Sequence, residues 1–224
     1  MLPETMPVCP VRGSVIYPTM VMPIDAGRPI SIRAIDEALA RDRVLLIVSQ
    51  RDKEVETPRP SDLFEVGTAC NILKMRKNPD GSVQVLVQAF ARVRVREWLD
   101  LGDHLEARGE VLADEPGEPI LVKTLVREVK DKFQALLKEG KYLAPEVAQF
   151  ILNLEDPSQL ADYVAFHMDF RLEDKQKVLE TANVAERLRA VLVLLEAELA
   201  LIETQPRIQQ QVKEEIDRNQ REYF

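Results

Sequence analysis

The sequence predicts an α+β protein, with an antiparallel β-barrel in its first half and an all-α helical bundle in its second. Residues 1–113 contain short apolar runs, often with a two-residue period and broken by prolines, as expected for the strands of a small barrel. Residues 118–224 carry apolar side chains three and four positions apart, as expected for amphipathic helices. A stretch rich in proline and acidic residues at 114–119 predicts the boundary between these two domains.

The first elements of the barrel follow from prolines and apolar runs. Strands are predicted at 6–11 and 21–24, and prolines place them at edges or bulges because proline cannot donate to a strand ladder. Ser31 is predicted to cap a short helix over 32–41. The continuous apolar run at 43–49 predicts a strand that is buried on both faces.

The rest of the barrel is predicted around a tight turn. Asp80-Gly81 favours a hairpin between a strand at 63–75 and a return strand that begins near Val83. A last strand at 104–112 completes the set.

The second half ends in the longest predicted helix. Asn183 is a favoured N-cap, and the helix after it carries a continuous apolar stripe up to Ile202. Beyond Pro206 the pattern is polar all round, which is typical of a helix that connects domains. At the other end of the bundle, Gly140 is predicted to end the first helix. The helices are predicted at 120–139, 145–152, 160–168, 172–181 and from about 183 onward.

The residues indicate a protein without catalytic, cofactor or metal sites of its own. Neither a phosphate-binding glycine loop nor a serine nucleophile elbow occurs, and Cys9 and Cys70 are isolated. The acidic residues between Asp156 and Asp174, among them Asp162, are interpreted as helix caps and solvated side chains. Structural roles are also expected for His104 and His167, as neither has a companion motif.

The composition also bounds the compartment and the partners. Without a signal peptide, a disulfide framework or a membrane span, the chain is expected in the cytoplasm and away from membranes. A net charge of −8 disfavours nucleic acid as the main partner. Arg92, Arg94 and Arg96 alternate with valines and are interpreted as the solvated face of a half-buried strand, with a basic nucleic-acid contact as the weaker alternative.

One apolar stretch stands out as a candidate contact site. The segment from Val15 to Pro23 is almost entirely apolar, yet its prolines prevent full pairing in a sheet. Exposed there, such side chains would bind apolar segments of other proteins, whereas the alternative is that they plug the end of the barrel. The predicted substrate-binding residues are Ile16, Tyr17, Pro18, Met20, Val21 and Met22.

Several ordered segments resemble the N-terminal region of Lon-type ATP-dependent proteases, and together they span nearly the whole chain. They lie at 10–18 (PVRGSVIYP), 62–68 (DLFEVGT), 79–81 (PDG), 160–162 (LAD), 174–180 (DKQKVLE), 183–188 (NVAERL) and 220–223 (QREY). One departure is Ala89-Phe90 ahead of Arg92, where the family more usually has a glycine.

The resemblance implies a PUA-like barrel, then a helical bundle and a long helix that leads to downstream ATPase and protease domains. It implies that the Walker motifs and the Ser–Lys dyad lie beyond Phe224, so that the parent protein uses ATP and Mg²⁺ while this chain carries no catalytic residue. The expected partners are unfolded, damaged or degron-bearing proteins, and the expected assembly is a homo-hexamer.

Three function classes therefore stay open, and a nucleic-acid-binding barrel that uses Arg92, Arg94 and Arg96 is the weakest of them. The first is a substrate-recognition domain that binds exposed apolar segments for protein quality control and supports hexamer assembly. The second is a mainly structural spacer or oligomerisation module, in which client contact is incidental.

Overall fold

The computed structural model describes residues 2–140 and 143–222, with side chains described through residue 204. Strands come first and helices second, so the predicted α+β class is confirmed. The strands are β1 (Met6–Val11), β2 (Val21–Ala26), β3 (Val44–Ser49), β4 (Val66–Lys77), β5 (Val83–Asp100) and β6 (Leu105–Val111). The helices are α1 (Pro29–Ala40), α2 (Pro119–Lys138), α3 (Pro145–Leu152), α4 (Pro157–His167), α5 (Leu172–Glu180) and α6 (Val184–Glu222).

The strands form one sheet that closes on itself. Its order is β2-β5-β4-β3-β1-β6, and β6 also pairs with β5, so that five strands make a barrel with β2 attached outside the ring. The prediction of a purely antiparallel barrel is wrong for one pair of strands, because β1 and β3 run parallel with Val8 opposite Leu46. The chain leaves β1, forms β2 and α1, and this long connection returns it to the end where β1 began.

Two local predictions have opposite outcomes. The hairpin between β4 and β5 is confirmed: Gly81 has a φ of 86°, and the Asn78 amide donates to the Ser82 carbonyl at 2.8 Å. The Ser31 cap is wrong, because α1 begins at Pro29 and buries Ser31 inside the helix. Proline suits the first helical position since its φ is already set there, which moves the start of the helix upstream.

Strand β3 is buried on both faces, as its apolar run predicts. Leu45 and Ile47 pack in a cluster with α1, whereas Leu46 and Val48 pack in a second cluster with β6. Side chains that alternate along one strand therefore serve two cores, and the barrel leaves little room for added atoms at β3.

Gly67 provides a test of this packing. A Cβ built on Gly67 would lie 2.5 Å from the Ile47 carbonyl oxygen and 2.7 Å from Val48 Cγ2. Gly67→Ala is therefore expected to lower the free energy of unfolding by about 1–3 kcal/mol in urea denaturation. Gly27→Ala is the matched control, because a Cβ there meets nothing within 4 Å. Equal stability of the two variants would contradict the tight contact between β3 and β4.

The helices are started by the residues that precede them. The Glu118 carboxylate accepts from the Ile120 and Leu121 amides at the start of α2, and Asp156 Oδ1 accepts from the Gln159 amide at the start of α4. The Asn183 cap is confirmed, since its Oδ1 accepts from the Glu186 amide at 3.1 Å. Proline at the first position of α2, α3 and α4 helps each helix begin because it needs no amide partner there.

Strands give way to helices between Val111 and Pro119, and one hydrophobic cluster includes residues of both halves. The main helical cluster includes Phe133, Leu160 and Leu188, and residues from the barrel half join it. Those residues are Val15, Tyr17, Met20 and Val66. The barrel and the bundle therefore pack as continuous layers, and the junction between them is where the candidate site is found.

Candidate functional site

The predicted contact stretch lies at this junction, and half of it is enclosed. Ile16, Tyr17 and Met20 are buried. Tyr17 and Met20 pack in the helical cluster, and the Tyr17 hydroxyl donates to the Lys175 carbonyl at 2.8 Å. Of the two possibilities that the sequence left open, exposure and a plug at the end of the barrel, these three side chains follow the second. They lie inward, where they plug the end of the barrel, and Tyr17 anchors it to α5.

The other three predicted residues reach the surface. Thr19 adopts a φ of 69°, and its amide donates to the Ala89 carbonyl at 2.9 Å, which turns the chain into β2. Pro18 and Met22 are half-buried, whereas Val21 is 54% exposed. The turn at Thr19 thus separates an anchoring segment from a surface segment.

Val21 is part of a larger apolar surface, which we call the β2–β5 patch: Val21, Pro23, Leu86 and Phe90. Val21 lies opposite Gln88, and Pro23 lies opposite Leu86. Since side chains alternate along a strand, these residues share the outer face of the sheet while their neighbours fill the barrel. Phe90, two residues beyond Gln88, is 39% exposed. Apolar side chains on both faces of β5 were the signal for Leu86 and Phe90, which the sequence interpretation missed.

Beneath this surface lies a buried network of charged residues. Arg92 is only 3% exposed and forms an ion pair with the buried Asp162, while its Nε donates to the Leu179 carbonyl at 3.1 Å. Arg187 is fully buried, and its Nη2 lies 2.6 Å from Asp114 Oδ1. The network joins β5, the 114–119 linker, α4 and α6.

The interpretation of Arg92 and Asp162 as solvated residues is therefore wrong. The helices cover the end of β5 that carries Arg92. The face of the strand that the alternating pattern predicted to be solvated is therefore buried there against the bundle. Arg96 is exposed and pairs with Glu110. With Arg92 enclosed and Arg96 neutralised, the three arginines do not form the open basic face that phosphate binding requires.

The charges of the network are balanced by burial and by pairing. Burial raises the pKa of Asp162 to about 6, although the guanidinium groups of Arg92 and Arg187 act against that rise. Burial would also raise the pKa of Asp114, but hydrogen bonds from Arg187 and Ser158 outweigh it and lower the pKa. Buried, paired charges of this kind fix how β5, the linker, α4 and α6 pack together. They do not resemble an exposed pair of reactive side chains.

The remaining titratable candidates have structural surroundings. His104 is buried, with Nδ1 2.6 Å from Asp103 Oδ1 and Nε2 3.3 Å from Glu106 Oε1. Burial, with a contribution from Lys175, lowers the pKa of His167, which stacks on Tyr163. Burial raises the pKa of the Cys9 thiol to about 11. Among the side chains of residues 2–140 and 143–204, no group of three His, Cys, Asp or Glu residues is arranged to hold a metal ion.

A comparison with protein families identifies the family to which this chain belongs. The family described as the ATP-dependent protease La (LON) substrate-binding domain matches residues 5–197. The chain belongs to this Lon family. The resemblance noted in the sequence is thus confirmed.

Similar Lon proteins cover the whole chain. It is 99% identical over 224 residues to Lon protease 2 of Thermus thermophilus, covering 100% of this chain and 28% of that protein. It is 39% identical over 222 residues to Lon protease of Escherichia coli K12, covering 97% of this chain and 28% of that protein. The chain thus spans about a quarter of these relatives' length, and their catalytic residues lie in the other parts.

Solved Lon structures share the fold. The N-terminal domain of a Mycobacterium avium complex Lon protease superposes with a TM-score of 0.71 at 25% identity, covering 86% of this chain and 98% of that one. A Lon N-terminal domain protein from Xanthomonas campestris gives 0.56 at 13% identity, covering 84% of this chain and 97% of that one. Within the described residues, no helix has the length and apolarity needed to cross a bilayer.

Proposed function

We propose that this chain is the non-catalytic substrate-recognition domain of a Lon-type protease, and that its β2–β5 patch binds exposed apolar segments of unfolded, damaged or degron-bearing proteins. The observation that carries the proposal is the patch itself, in which Val21 and Phe90 remain exposed on a rigid sheet. Apolar surface of this kind on a water-soluble domain marks a contact site for apolar chain.

The six predicted residues then divide between two roles. Pro18 and Val21 contact the client directly, with Phe90 and Leu86 extending the surface, whereas Met22 lies on the inner side of β2 and packs against the barrel cluster. Ile16, Tyr17 and Met20 act from below, because their burial holds the turn at Thr19 and the start of β2 in place. A contact surface that is anchored in this way loses little conformational entropy when a client binds.

Binding to one domain is expected to be weak, because a flexible client loses conformational entropy on capture. Several copies in a homo-hexameric protease would raise the effective concentration of binding sites and supply avidity. In this proposal the downstream ATPase and protease domains use ATP and Mg²⁺ to unfold and cleave what these domains retain. We place the process in the cytoplasm, where the two free, buried cysteines would stay reduced.

A second candidate function is a mainly structural module that sets the spacing and assembly of the parent hexamer. Its supporting observation is the Asp114–Arg187 pair, which ties the first turns of α6 to the linker after the barrel. In this case α6 would transmit a fixed geometry to the following domains, and client contact would be incidental.

The two candidates are separated by a binding experiment with one client in two states. The double variant Val21→Glu/Phe90→Glu is expected to weaken binding of a reduced and alkylated, permanently unfolded protein by at least about tenfold, measured by fluorescence anisotropy. Carboxylates in the patch would have to be desolvated by an apolar client, which opposes binding. The native form of the same client is expected to bind neither protein.

The control places the same two charges elsewhere. Val193→Glu/Leu201→Glu alters two apolar positions on α6 that are at least as exposed, far along the chain from the patch, and is expected to bind the client like wild type. Unchanged binding by the patch variant would remove the patch from the recognition site. A wild-type chain that binds neither form of the client would favour the structural module.

A further inference from the structure

Two cavities lie side by side at the junction of barrel and bundle. The first has a volume of about 290 Å³ and is lined by Pro18, Phe90 and Val111, so it opens directly beside the β2–β5 patch. Asp114, Asp156 and Ser158 line both cavities, and Asp114 and Ser158 are hydrogen-bonded to each other. The two cavities therefore adjoin across one polar ridge made of these three side chains.

The second cavity is larger and mainly apolar. Its volume is about 580 Å³, and Val122, Val126, Pro157 and Val184 line it. Val184 is the first residue of α6, so this cavity lies at the base of the last helix. Together, the patch, the two cavities and the ridge make a continuous track, which we call the junction groove, from the outer face of β5 to the start of α6.

The rim of the larger cavity carries an excess of negative charge. Glu155 and Asp156 lie on one side and Lys123 on another. Asp156 caps α4 through one carboxylate oxygen, whereas the Glu155 side chain has no hydrogen bond or ion pair within the described part of the chain. Asp114 on the ridge is already matched by Arg187. The charge that is left over favours a positively charged ligand group at this rim.

We propose that the junction groove binds an extended client segment that carries two apolar side chains separated by a basic one. One apolar anchor fills the cavity beside Phe90, the other fills the cavity beside Val122, and the basic side chain lies near Glu155. This inference rests on the proposed client-binding function and specifies which segments the domain prefers.

A second copy of this chain fits the groove less well than a client does. The chain has a net charge of −8, so a second copy would bring like charge to an acidic rim. An unfolded segment can enter a narrow groove because its backbone is extended and its side chains are accessible, whereas a folded copy presents a convex surface. An extended backbone also offers amide donors to the carboxylate and hydroxyl oxygens of the ridge.

The test uses two short fluorescein-labelled peptides in anisotropy titrations with the whole chain. Each peptide has a leucine near either end, and the central residue is arginine in one and glutamate in the other. Wild type is expected to prefer the arginine peptide, with a preference that shrinks as salt rises. Glu155→Lys is expected to reverse this preference, and Val122→Glu is expected to weaken both peptides by about tenfold.

Ile120→Glu is the matched control. It lies on the same helix, is 77% exposed and does not line the cavity, so both peptides are expected to bind it like wild type. Thermal unfolding checks that each variant is folded. If Val122→Glu is not folded, the reversal by Glu155→Lys decides the question, because Glu155 is an exposed residue.

The failure of this inference is distinguishable from the failure of the proposed function. If Val21→Glu weakens the peptides while Val122→Glu and Glu155→Lys bind like wild type, the junction groove is excluded and the patch remains. If none of the three variants changes binding, both proposals fail. Light scattering that shows a dimer lost only on Val122→Glu would assign the groove to a second copy and overturn the client assignment.

Discussion

Arg92→Met is expected to lower the free energy of unfolding by about 3–5 kcal/mol, measured by urea denaturation at neutral pH. Methionine keeps much of the length of the arginine side chain but leaves buried Asp162 with only Arg187, whose Nη1 lies 3.9 Å away, and leaves the Leu179 carbonyl without this donor. The cost of a buried carboxylate that has lost its hydrogen-bonded partner explains the size of the effect. Because the network joins β5 to α4, the loss should affect the barrel and the bundle together.

Arg96→Met is the control on the same strand. Arg96 and its partner Glu110 are both exposed, so this variant is expected to lose no more than about 1 kcal/mol. The double variant Arg92→Met/Asp162→Leu removes both charges and is expected to recover much of the stability lost in Arg92→Met. Similar losses for Arg92→Met and Arg96→Met would contradict the placement of Arg92 in the interior.

The effect of Arg92→Met should also depend on pH. Burial raises the pKa of Asp162 to about 6, so the folded state holds this proton more tightly than the unfolded state, and stability falls as pH rises through that range. Without Arg92 the pKa of Asp162 should rise further. The deficit of Arg92→Met relative to wild type is therefore expected to be larger at about pH 7 than at about pH 5. If the deficit in the free energy of unfolding does not vary with pH, the effect of Arg92→Met does not depend on the charge of Asp162.

Tyr17→Ala is expected to lower the free energy of unfolding by about 3–5 kcal/mol. Tyr17 is fully buried among residues of the helical cluster, and its removal leaves a cavity where the barrel meets α5. Tyr17→Phe keeps the ring and loses only the hydrogen bond to the Lys175 carbonyl, so its expected loss is about 0.5–1.5 kcal/mol. Urea denaturation of the two variants measures both effects.

Val21→Ala is the comparison for Tyr17→Ala. It removes an exposed side chain only four residues away and is expected to change stability by no more than about 0.5 kcal/mol while it weakens client binding. The opposite result, in which Tyr17→Ala keeps its stability and loses client binding, would return Tyr17 to the contact surface. These variants thus separate the anchoring residues of the candidate stretch from the contacting ones.

Local patterns predicted most of the individual elements. The run at 43–49 is buried on both faces in β3, Asn183 caps α6, and Asp80-Gly81 turns the chain between β4 and β5. Each of these depends on interactions between residues close in the chain or on the apolar pattern of one element. The parallel pair of β1 and β3 was missed because strand partners depend on the path of the connecting chain, and α1 supplies that path.

The candidate site was harder to predict, because exposure is decided by elements distant in the chain. Alternation along β5 suggested that Arg92 lies in solvent, but α4 and α6 cover it and supply Asp162 and Arg187 nearby. Phe90 remained exposed although its type favours burial, since neither the barrel interior nor the bundle extends over it.

The sequence by itself determined the α+β class, the family and an apolar stretch from Val15 to Pro23, because composition, periodicity and ordered motifs are properties of neighbouring residues. Only the tertiary structure decided which side of that stretch faces outward, and that an ion network and a groove occupy the junction. Those features are made by residues that lie far apart in the chain, such as Arg92 with Asp162 and Phe90 with Asp114. Their contacts exist only once the bundle has packed on the barrel and removed the charged groups from water.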